Sequence, residues 1–224
     1  MNHAFFGRRY RGGHTVLPRH RHAPSYAALV LSGGYEEAGD RGRLRAQAGD
    51  IVLHGAFEAH LNRYDSPGSE VLSLALPALM EPVANLLQAA DPEMIVRLAE
   101  RDAREAVAFL LETSKPLPCR IADWPDELAH ALAHDPHLRL QDWACEQGLA
   151  DATVSRGFRQ VFGISPSAYR AQIRGRMAWQ RSSGSTDQLA SVALDSGFCD
   201  QAHMTRTVRD LTGQTPGAWR RQVK

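Results

Sequence analysis

One short phrase occurs twice in the last third of the chain. The stretch GISPSAYR at residues 163–170 returns fifty residues later as GQTPGAWR at residues 213–220. The match extends upstream, where small and apolar positions keep their spacing: Leu140, Trp143, Ala144 and Gly148 correspond to Leu189, Val192, Ala193 and Gly197. Residue types that recur at fixed spacing indicate one structural unit built twice. The sequence from Leu140 onward therefore predicts two copies of the same structural motif.

Each copy has the pattern of two short helices joined by a tight turn. Ala144 and Ala193 are small enough for the first helix to lie close against the second. Gly148 and Gly197 fall where such a turn needs a positive φ. In each phrase a serine or threonine precedes the proline, which suits an N-cap followed by the first position of a further helix. The pattern predicts two helix-turn-helix motifs, each followed by another helix.

The second helix of each copy, over residues 151–161 and 200–211, is the candidate recognition helix. Its apolar positions would face the core and its polar positions the major groove of DNA. Arginine can bond guanine, and glutamine adenine, through paired hydrogen bonds. The alternatives are phosphate contacts or an ordinary solvated surface. We expect the DNA-binding residues to be Thr153, Ser155, Arg156, Arg159, Gln201, His203, Thr205, Arg206 and Arg209.

Charge is distributed unevenly along the 224 residues. The whole chain carries a net charge of +1, but residues 150–224 hold eleven basic and five acidic side chains. The remainder holds fifteen basic and twenty acidic side chains. This asymmetry favours a basic module that meets phosphates and a separate part that does not.

The segment GFCDQAHMTRTVRDLTGQTPGAWRRQ resembles the signature end of AraC/XylS-type transcriptional regulators. Val208 stands where that family usually has phenylalanine, and Ala152 stands at a position that is often polar. The resemblance covers residues 123–224. It implies a seven-helix unit that binds double-stranded DNA, with RNA polymerase as a candidate partner. It also implies an N-terminal domain that senses a small molecule or mediates dimerisation.

Residues 16–76 have the pattern of short strands broken by Gly and Asp turns, followed from Pro77 by helical periodicity. We expect three segments: a sensor barrel at 1–77, a helical segment at 78–122 that links or dimerises, and a DNA-binding domain at 123–224. The prolines of KPLPCRIADWP at 115–125 favour a boundary there. The expected fold class is α+β, with an N-terminal β-barrel and helices before an all-α domain.

Histidines in the N-terminal part resemble the two cupin motifs. His20 and His22 lie two apart on one strand face, and His60 follows a Gly-led strand. Tyr26 stands where metal-binding cupins usually have glutamate. We expect His20, His22, Tyr26, His54 and His60 to line an effector pocket. Glu36 and Glu37 could also line the mouth of the barrel, but we favour an exposed strand end or hairpin for both. His20, His22 and His60 could bind Zn²⁺ or another divalent metal, or only hydrogen-bond to neighbours or a ligand.

The sequence leaves three classes of function open. The leading one is an effector-responsive transcriptional regulator that acts as a homodimer through the helices of residues 78–112. The second is a metal-dependent cupin enzyme, an oxygenase or isomerase that uses His20, His22 and His60. The third is a DNA-binding protein without a sensing role. No apolar run suits a bilayer or a signal peptide, and the three cysteines fit no zinc spacing, so we expect a cytoplasmic protein.

Overall fold

The computed structural model describes residues 6–78, 80–118, 123–135 and 137–223. Cys119 and the other residues of the predicted boundary at 119–122 lie outside this description. The chain divides into two compact units, residues 1–122 and residues 123–224. Among the described residues, no helix combines the length and apolar character needed to cross a bilayer.

The first unit is built on two antiparallel sheets. The six-stranded sheet runs in the order β1-β8-β3-β6-β9-β10, and the four-stranded sheet in the order β2-β7-β4-β5. The strands are β1 (Gly7–Gly12), β2 (Val16–Arg21), β3 (Tyr26–Ser32), β4 (Gly34–Gly39), β5 (Gly42–Gln47), β6 (Asp50–His54), β7 (Ala59–Tyr64), β8 (Gly68–Ala75), β9 (Leu86–Gln88) and β10 (Lys115–Pro116).

Alternation of side chains along the strands gives the six-stranded sheet two apolar faces. Ala28, Val30 and Val52 face the second sheet, where they pack with Tyr35 and Leu44. The opposite face is covered by two helices, α1 (Pro92–Arg101) and α2 (Ala103–Thr113). Their buried side chains join the strands in one core cluster that includes Leu29, Ile51, Leu72, Leu74, Ile95, Ala106, Val107 and Leu110.

This architecture confirms the predicted fold class and refines it. The two sheets form a cupin-like sandwich whose described strands keep two separate orders and do not close into one barrel. The segment predicted as helical, 78–122, also contributes β9 and β10 to the larger sheet. The apolar sides of α1 and α2 are buried against strands of the same chain. The roles of 1–77 as sensor and 78–122 as dimerisation segment stay predictions.

The second unit contains seven helices over its described residues. They are α3 (Trp124–His134), α4 (Leu140–Glu146), α5 (Asp151–Phe162), α6 (Pro166–Gly184), α7 (Leu189–Asp195), α8 (Gln201–Thr212) and α9 (Pro216–Val223). Pairs α4–α5 and α7–α8 are the two helix-turn-helix motifs. The long helix α6 connects them and contacts α3, α5, α7, α8 and α9.

The two inter-helix turns have the same hydrogen bonds, as the repeat predicts. Gly148 N donates to Cys145 O at 3.0 Å, and Gly197 N donates to Leu194 O at 2.9 Å. Both glycines have positive φ, 63° and 76°. Ala144 and Ala193 are buried beneath the second helix of their motif. Because a left-handed residue is cheap only for glycine, the repeated glycines are explained by the turn itself.

The repeated phrase closes each motif in three ways. Ser165 and Thr215 cap the next helix, accepting hydrogen bonds from Ala168 N and Ala218 N. The buried ring of Tyr169 packs edge-on against the rings of Phe158 and Phe162. In the second copy the corresponding Trp219 packs edge-on against Trp179 and donates to Thr212 Oγ1 at 2.8 Å. The phrase is a capping and packing element.

The arginine that ends the phrase makes an equivalent bond in both copies. Arg170 Nη1 donates to the carbonyl of Leu138, two residues before α4. Arg220 Nε donates at 3.0 Å to the carbonyl of Ser182, near the end of α6 and before α7. Each arginine therefore ties the helix after the motif to the segment before it.

The second helix of each motif packs closely against one supporting helix, α3 for α5 and α6 for α8. Each of these contacts contains a glycine. In α5, a Cβ on Gly157 would lie 2.5 Å from Cζ2 of Trp124 on α3. In α6, a Cβ on Gly175 would lie 2.9 Å from Cγ2 of Thr207, which occupies in α8 the position that Gly157 has in α5. Real Cβ atoms do not approach neighbours this closely, so these contacts exclude larger residues.

We expect Gly157→Ala to destabilise the second unit by about 1–3 kcal/mol, since the added methyl group overpacks against the Trp124 ring. Alanine normally stabilises a helix relative to glycine by about 0.5–1 kcal/mol. All four tryptophans lie in residues 123–224, so urea unfolding followed by tryptophan fluorescence reports this unit alone. The matched control is Gly184→Ala in α6, where the new Cβ meets nothing within 4 Å. Equal stability of both variants would contradict the close contact.

Candidate functional site

The predicted DNA-facing residues lie on the solvent side of α5 and α8. Val154, Phe158, Met204 and Val208 are buried, which fixes the outward face of each helix. Eight of the nine predicted side chains are exposed, and Thr205 is half-buried. The two helices align with an offset of fifty residues, so Thr153 corresponds to His203, Ser155 to Thr205, Arg156 to Arg206 and Arg159 to Arg209.

Four arginines on these faces are available to a partner. Arg156, Arg159, Arg206 and Arg209 are exposed and form no ion pair with any described residue. Elsewhere on the surface of this unit, Arg139 and Arg181 each face an aspartate within 4 Å. An unpaired arginine on a helix face is free to bond phosphate or a base edge.

The extra residue in the second motif changes how its recognition helix begins. Asp200 is the N-cap of α8, and its carboxylate accepts a hydrogen bond of 2.7 Å from His203 N. In the first motif Ala150 occupies the N-cap of α5 and makes no side-chain cap bond. The His203 ring also packs edge-on against Phe198 at 5.2 Å. The first turn of α8 is thus held more firmly than that of α5.

The first unit contains a cavity of about 410 Å³ between its sheets. All five residues predicted for an effector pocket line it: His20, His22, Tyr26, His54 and His60. Tyr26, His54 and His60 are buried, whereas His20 and His22 are half-buried. A cavity of this size suits a small organic molecule.

Strand register brings these side chains together. His20 on β2 lies directly opposite His60 on β7, with ring centroids 4.4 Å apart. Tyr26 on β3 lies directly opposite His54 on β6, and their rings stack at 4.2 Å. The Tyr26 hydroxyl then reaches His60 Nε2 at 3.3 Å. Cross-strand pairing therefore joins residues that are 40 and 28 positions apart in the sequence.

The expectation for Glu37 is wrong. Its side chain is 4% exposed and lines the cavity, whereas the neighbouring Glu36 points outward and faces Arg63 at 3.2 Å. The reason is strand alternation, which sends adjacent residues to opposite faces of β4. Asn62, opposite Glu37 on β7, donates to its Oε2 at 2.9 Å, and His54 Nε2 lies 3.6 Å from the same oxygen.

Burial controls the protonation of this cluster. Loss of solvent raises the pKa of Glu37 from its usual value of 4.5 to about 8, against the hydrogen bond from Asn62. Loss of solvent also lowers the pKa of His54 to about 3 and that of His22 to about 4. The pKa of His60 is lowered well below its usual range for the same reason. At neutral pH these three histidines are uncharged, and their ring nitrogens can accept hydrogen bonds or bind metal.

The structure brings together two groups with the donors that metal ions require. His20, His22 and His60 each offer a ring nitrogen within 4.8 Å of the others, as the motif predicts. Since a carbonyl cannot donate, the 2.8 Å contact of His20 Nδ1 with Pro18 O places the proton on Nδ1 and leaves Nε2 free. Glu37, His54 and His60 form a second group within the same limit.

Sequence reasoning missed three arginines at this cavity, Arg9, Arg11 and Arg19. Arg9 and Arg11 alternate along β1 and line the cavity, while Tyr10 between them is 65% exposed. The period of two in GRRYRG was a usable signal, but the predicted strands began only at residue 16. Arg11 hydrogen-bonds to Tyr64, another residue of the cavity wall. The cavity thus has cationic groups on one wall.

Comparison with known proteins identifies relatives of the chain. Residues 143–222 match the model of a family described as a helix-turn-helix domain. The HTH-type transcriptional regulator ExsA of Pseudomonas aeruginosa is 30% identical over 178 residues, which are 75% of this chain and 64% of ExsA. The arabinose operon regulatory protein of Salmonella typhimurium is 27% identical over 128 residues, 57% of this chain and 45% of that protein. The chain spans less than two thirds of the length of either relative.

Among solved structures, the unsaturated fatty acid-bound ToxT of Vibrio cholerae is similar to this chain with a TM-score of 0.41 and 11% identity. The similarity covers 95% of this chain and 93% of ToxT.

We expect the stability of the first unit to peak near pH 6.5 in buffer that contains EDTA. Above its usual pKa, Glu37 ionises in the unfolded chain but stays protonated in the native state up to about pH 8, so the free energy of unfolding falls as pH rises. Below about pH 6.5, His22, His54 and His60 bind protons in the unfolded chain but not in the native state. The free energy of unfolding therefore also falls as pH decreases. Each such proton contributes a slope of at most about 1.4 kcal/mol per pH unit.

Glu37→Gln should remove the decline of stability above pH 6.5. Glu36→Gln, which changes the neighbouring half-buried glutamate outside the cavity, should retain it. Urea unfolding followed by circular dichroism measures both units, and tryptophan fluorescence identifies the transition of the second unit. A decline above pH 6.5 that persists in Glu37→Gln would contradict the assignment.

Proposed function

We propose that this chain is a transcriptional regulator of the AraC type, which binds specific DNA sequences and responds to a small molecule. In this proposal, α5 and α8 each enter the major groove, and the cavity of the β-sandwich binds the effector. The matched relatives named above are regulators, as their names state.

One observation carries the DNA-binding proposal. Two helix-turn-helix motifs each present two exposed arginines that have no ion-pair partner among the described residues. They lie in the segment with eleven basic and five acidic side chains. Phosphate contacts from such residues supply most sequence-independent affinity for DNA. Four exposed arginines on equivalent helix faces could therefore contact phosphates or base edges of bound DNA.

We assign the larger share of base recognition to α8. Its face carries Gln201 and His203 at the start of the helix, followed by Arg206 and Arg209, whereas α5 offers Thr153 and Ser155 there. Glutamine and arginine make the paired bonds that distinguish adenine and guanine, each worth about 1–3 kcal/mol of discrimination. The capped first turn of α8 supports this assignment, since recognition requires rigid side-chain positions.

The effector proposal depends on the cavity. Its volume of about 410 Å³ and its wall of histidines, tyrosines and Arg9 and Arg11 suit a small polar or anionic molecule. Binding should raise the melting temperature of the protein, and the effector should shift its affinity for DNA. A protein without a sensing role would show neither change with any ligand of the cavity.

Further parts of this proposal follow from the sequence resemblance. They are a homodimer formed through the helices of residues 78–112, contact with RNA polymerase, a cytoplasmic location and the absence of enzymatic activity.

A metal-dependent enzyme is the second candidate, and the convergence of His20, His22 and His60 favours it. These nitrogens fit a divalent metal such as Zn²⁺, which would supply a Lewis acid at the cavity wall. This candidate gives no role to the duplicated helix-turn-helix unit.

The proposed function is tested by selection of binding sites from random DNA with the purified full chain. We expect an enriched sequence that fits two adjacent major-groove segments, and an affinity that falls steeply as salt concentration rises. Failure to bind DNA at low salt, by a chain that is folded by circular dichroism, would overturn the proposal.

We expect Arg206→Ala to lower affinity for the selected site by about 10-fold or more, with a smaller loss on random DNA. The reason is that a base contact contributes only at the correct sequence. Arg97→Ala in α1, an exposed arginine that faces Glu93, is the control with the same change of charge. Gel-shift titrations of the wild type and both variants on both DNAs measure the six affinities. Equal losses on the two DNAs would identify Arg206 as a phosphate contact.

A further inference from the structure

A buried cluster lies beneath the two motif histidines at the wall of the cavity. Glu37, His54 and His60 come from three different strands, and each offers one donor atom within 4.8 Å of the others. All three side chains are buried, with exposed fractions of 3–4%. His54 Nε2 lies 3.6 Å from Glu37 Oε2.

The position of this cluster leaves space for an ion. Glu37, His54 and His60 line the main cavity and also a second void of about 10 Å³ on their other side. They form part of the wall between the two spaces. A void of this volume accommodates about one water-sized sphere, so a small bound species fits beside the three donors without rearrangement of the sheets.

His60 lacks a partner that its burial calls for. Its Nδ1 finds no hydrogen bond in the described part of the chain, although the side chain is 3% exposed. Its Nε2 lies 3.3 Å from the Tyr26 hydroxyl. Buried polar atoms almost always have a partner. The orphaned nitrogen therefore indicates a ligand that the protein chain itself does not supply.

Charge favours this cluster over the motif histidines as a cation site. Glu37 is the single acidic residue among the described residues that line the main cavity. Asp40 and Glu58 also act electrostatically on Glu37, and their arginine partners are Arg19 and Arg41. The group of His20, His22 and His60 has no carboxylate, and the cationic Arg9 acts on His22.

We propose that Glu37, His54 and His60 bind a divalent transition-metal ion, with zinc as the representative, at a site distinct from the His-x-His pair. Two imidazoles and one carboxylate are a common donor set for Zn²⁺ and for iron-class ions. Bond lengths of about 2.0–2.2 Å in a tetrahedral site require donor atoms about 3.4 Å apart, so the donors draw together on binding. Since His60 belongs to both groups, an ion here would use one of the three motif histidines, while His20 and His22 continue to line the cavity.

The test is a zinc titration of the full chain after removal of metal with EDTA, in competition with a chromophoric chelator. We expect one Zn²⁺ per chain. Glu37→Gln and His54→Asn should each weaken binding at least about 10-fold. The matched controls, His20→Asn with His22→Asn and separately Glu36→Gln, should change affinity by less than about 3-fold. Co²⁺ added in place of zinc should give a visible absorption spectrum that Glu37→Gln alters.

Three outcomes would overturn the proposal. They are absence of zinc binding by the folded wild type, loss of binding in the His20 and His22 variant alone, and equal losses in both sets of variants. Circular dichroism checks the fold of each variant. If His54→Asn does not fold, Glu37→Gln carries the test, since it removes the ionisable oxygen donor at nearly constant volume. Metal binding is scored without DNA, so its failure stays separate from failure of the proposed regulatory function.

Discussion

The second unit depends on one hydrogen bond that is made twice, from the last arginine of the repeated phrase to a backbone carbonyl upstream of its own motif. Arg170 reaches Leu138, and Arg220 reaches Ser182. The first bond ties α6 to the start of the first motif, and the second ties α9 to α6. Both candidate recognition helices, α5 and α8, therefore pack against the same 19-residue helix α6, which is about 28 Å long. Their separation is set by the rigidity of α6.

The helices of the second unit could be predicted from the sequence because each residue assigned in one copy of the repeat could be compared with its counterpart in the other copy. A glycine that could mark many structures marks a turn when it recurs at the same offset from a small residue and an apolar residue. The predicted bounds of α5 and α8 differ from the observed ones by a single residue at some of their ends. The role of the inserted residue, which makes Asp200 an N-cap, was not evident because an unpaired insertion has no second copy for comparison.

The cavity was harder to predict because strand register is not local. The motif histidines could be found by spacing alone, and all five predicted residues line the cavity. Glu36 and Glu37 are identical in type and adjacent, so only the pairing of β4 with β7 decides which one is inside. The same pairing places Glu37 opposite Asn62 and brings the carboxylate to His54. The sequence was enough to predict the residues of the pocket, but the strand register was needed to show that Glu37 is one of them.

The close contacts of Gly157 and Gly175 limit how the two motifs could be recombined. In the first motif α5 carries the glycine and α3 carries tryptophan, while in the second α6 carries the glycine and α8 carries threonine. Thr207 of α8 occupies the position of Gly157, so it would collide with the Trp124 ring if α8 replaced α5. A chimera that exchanges the two helices would therefore need a smaller residue at one of these contacts.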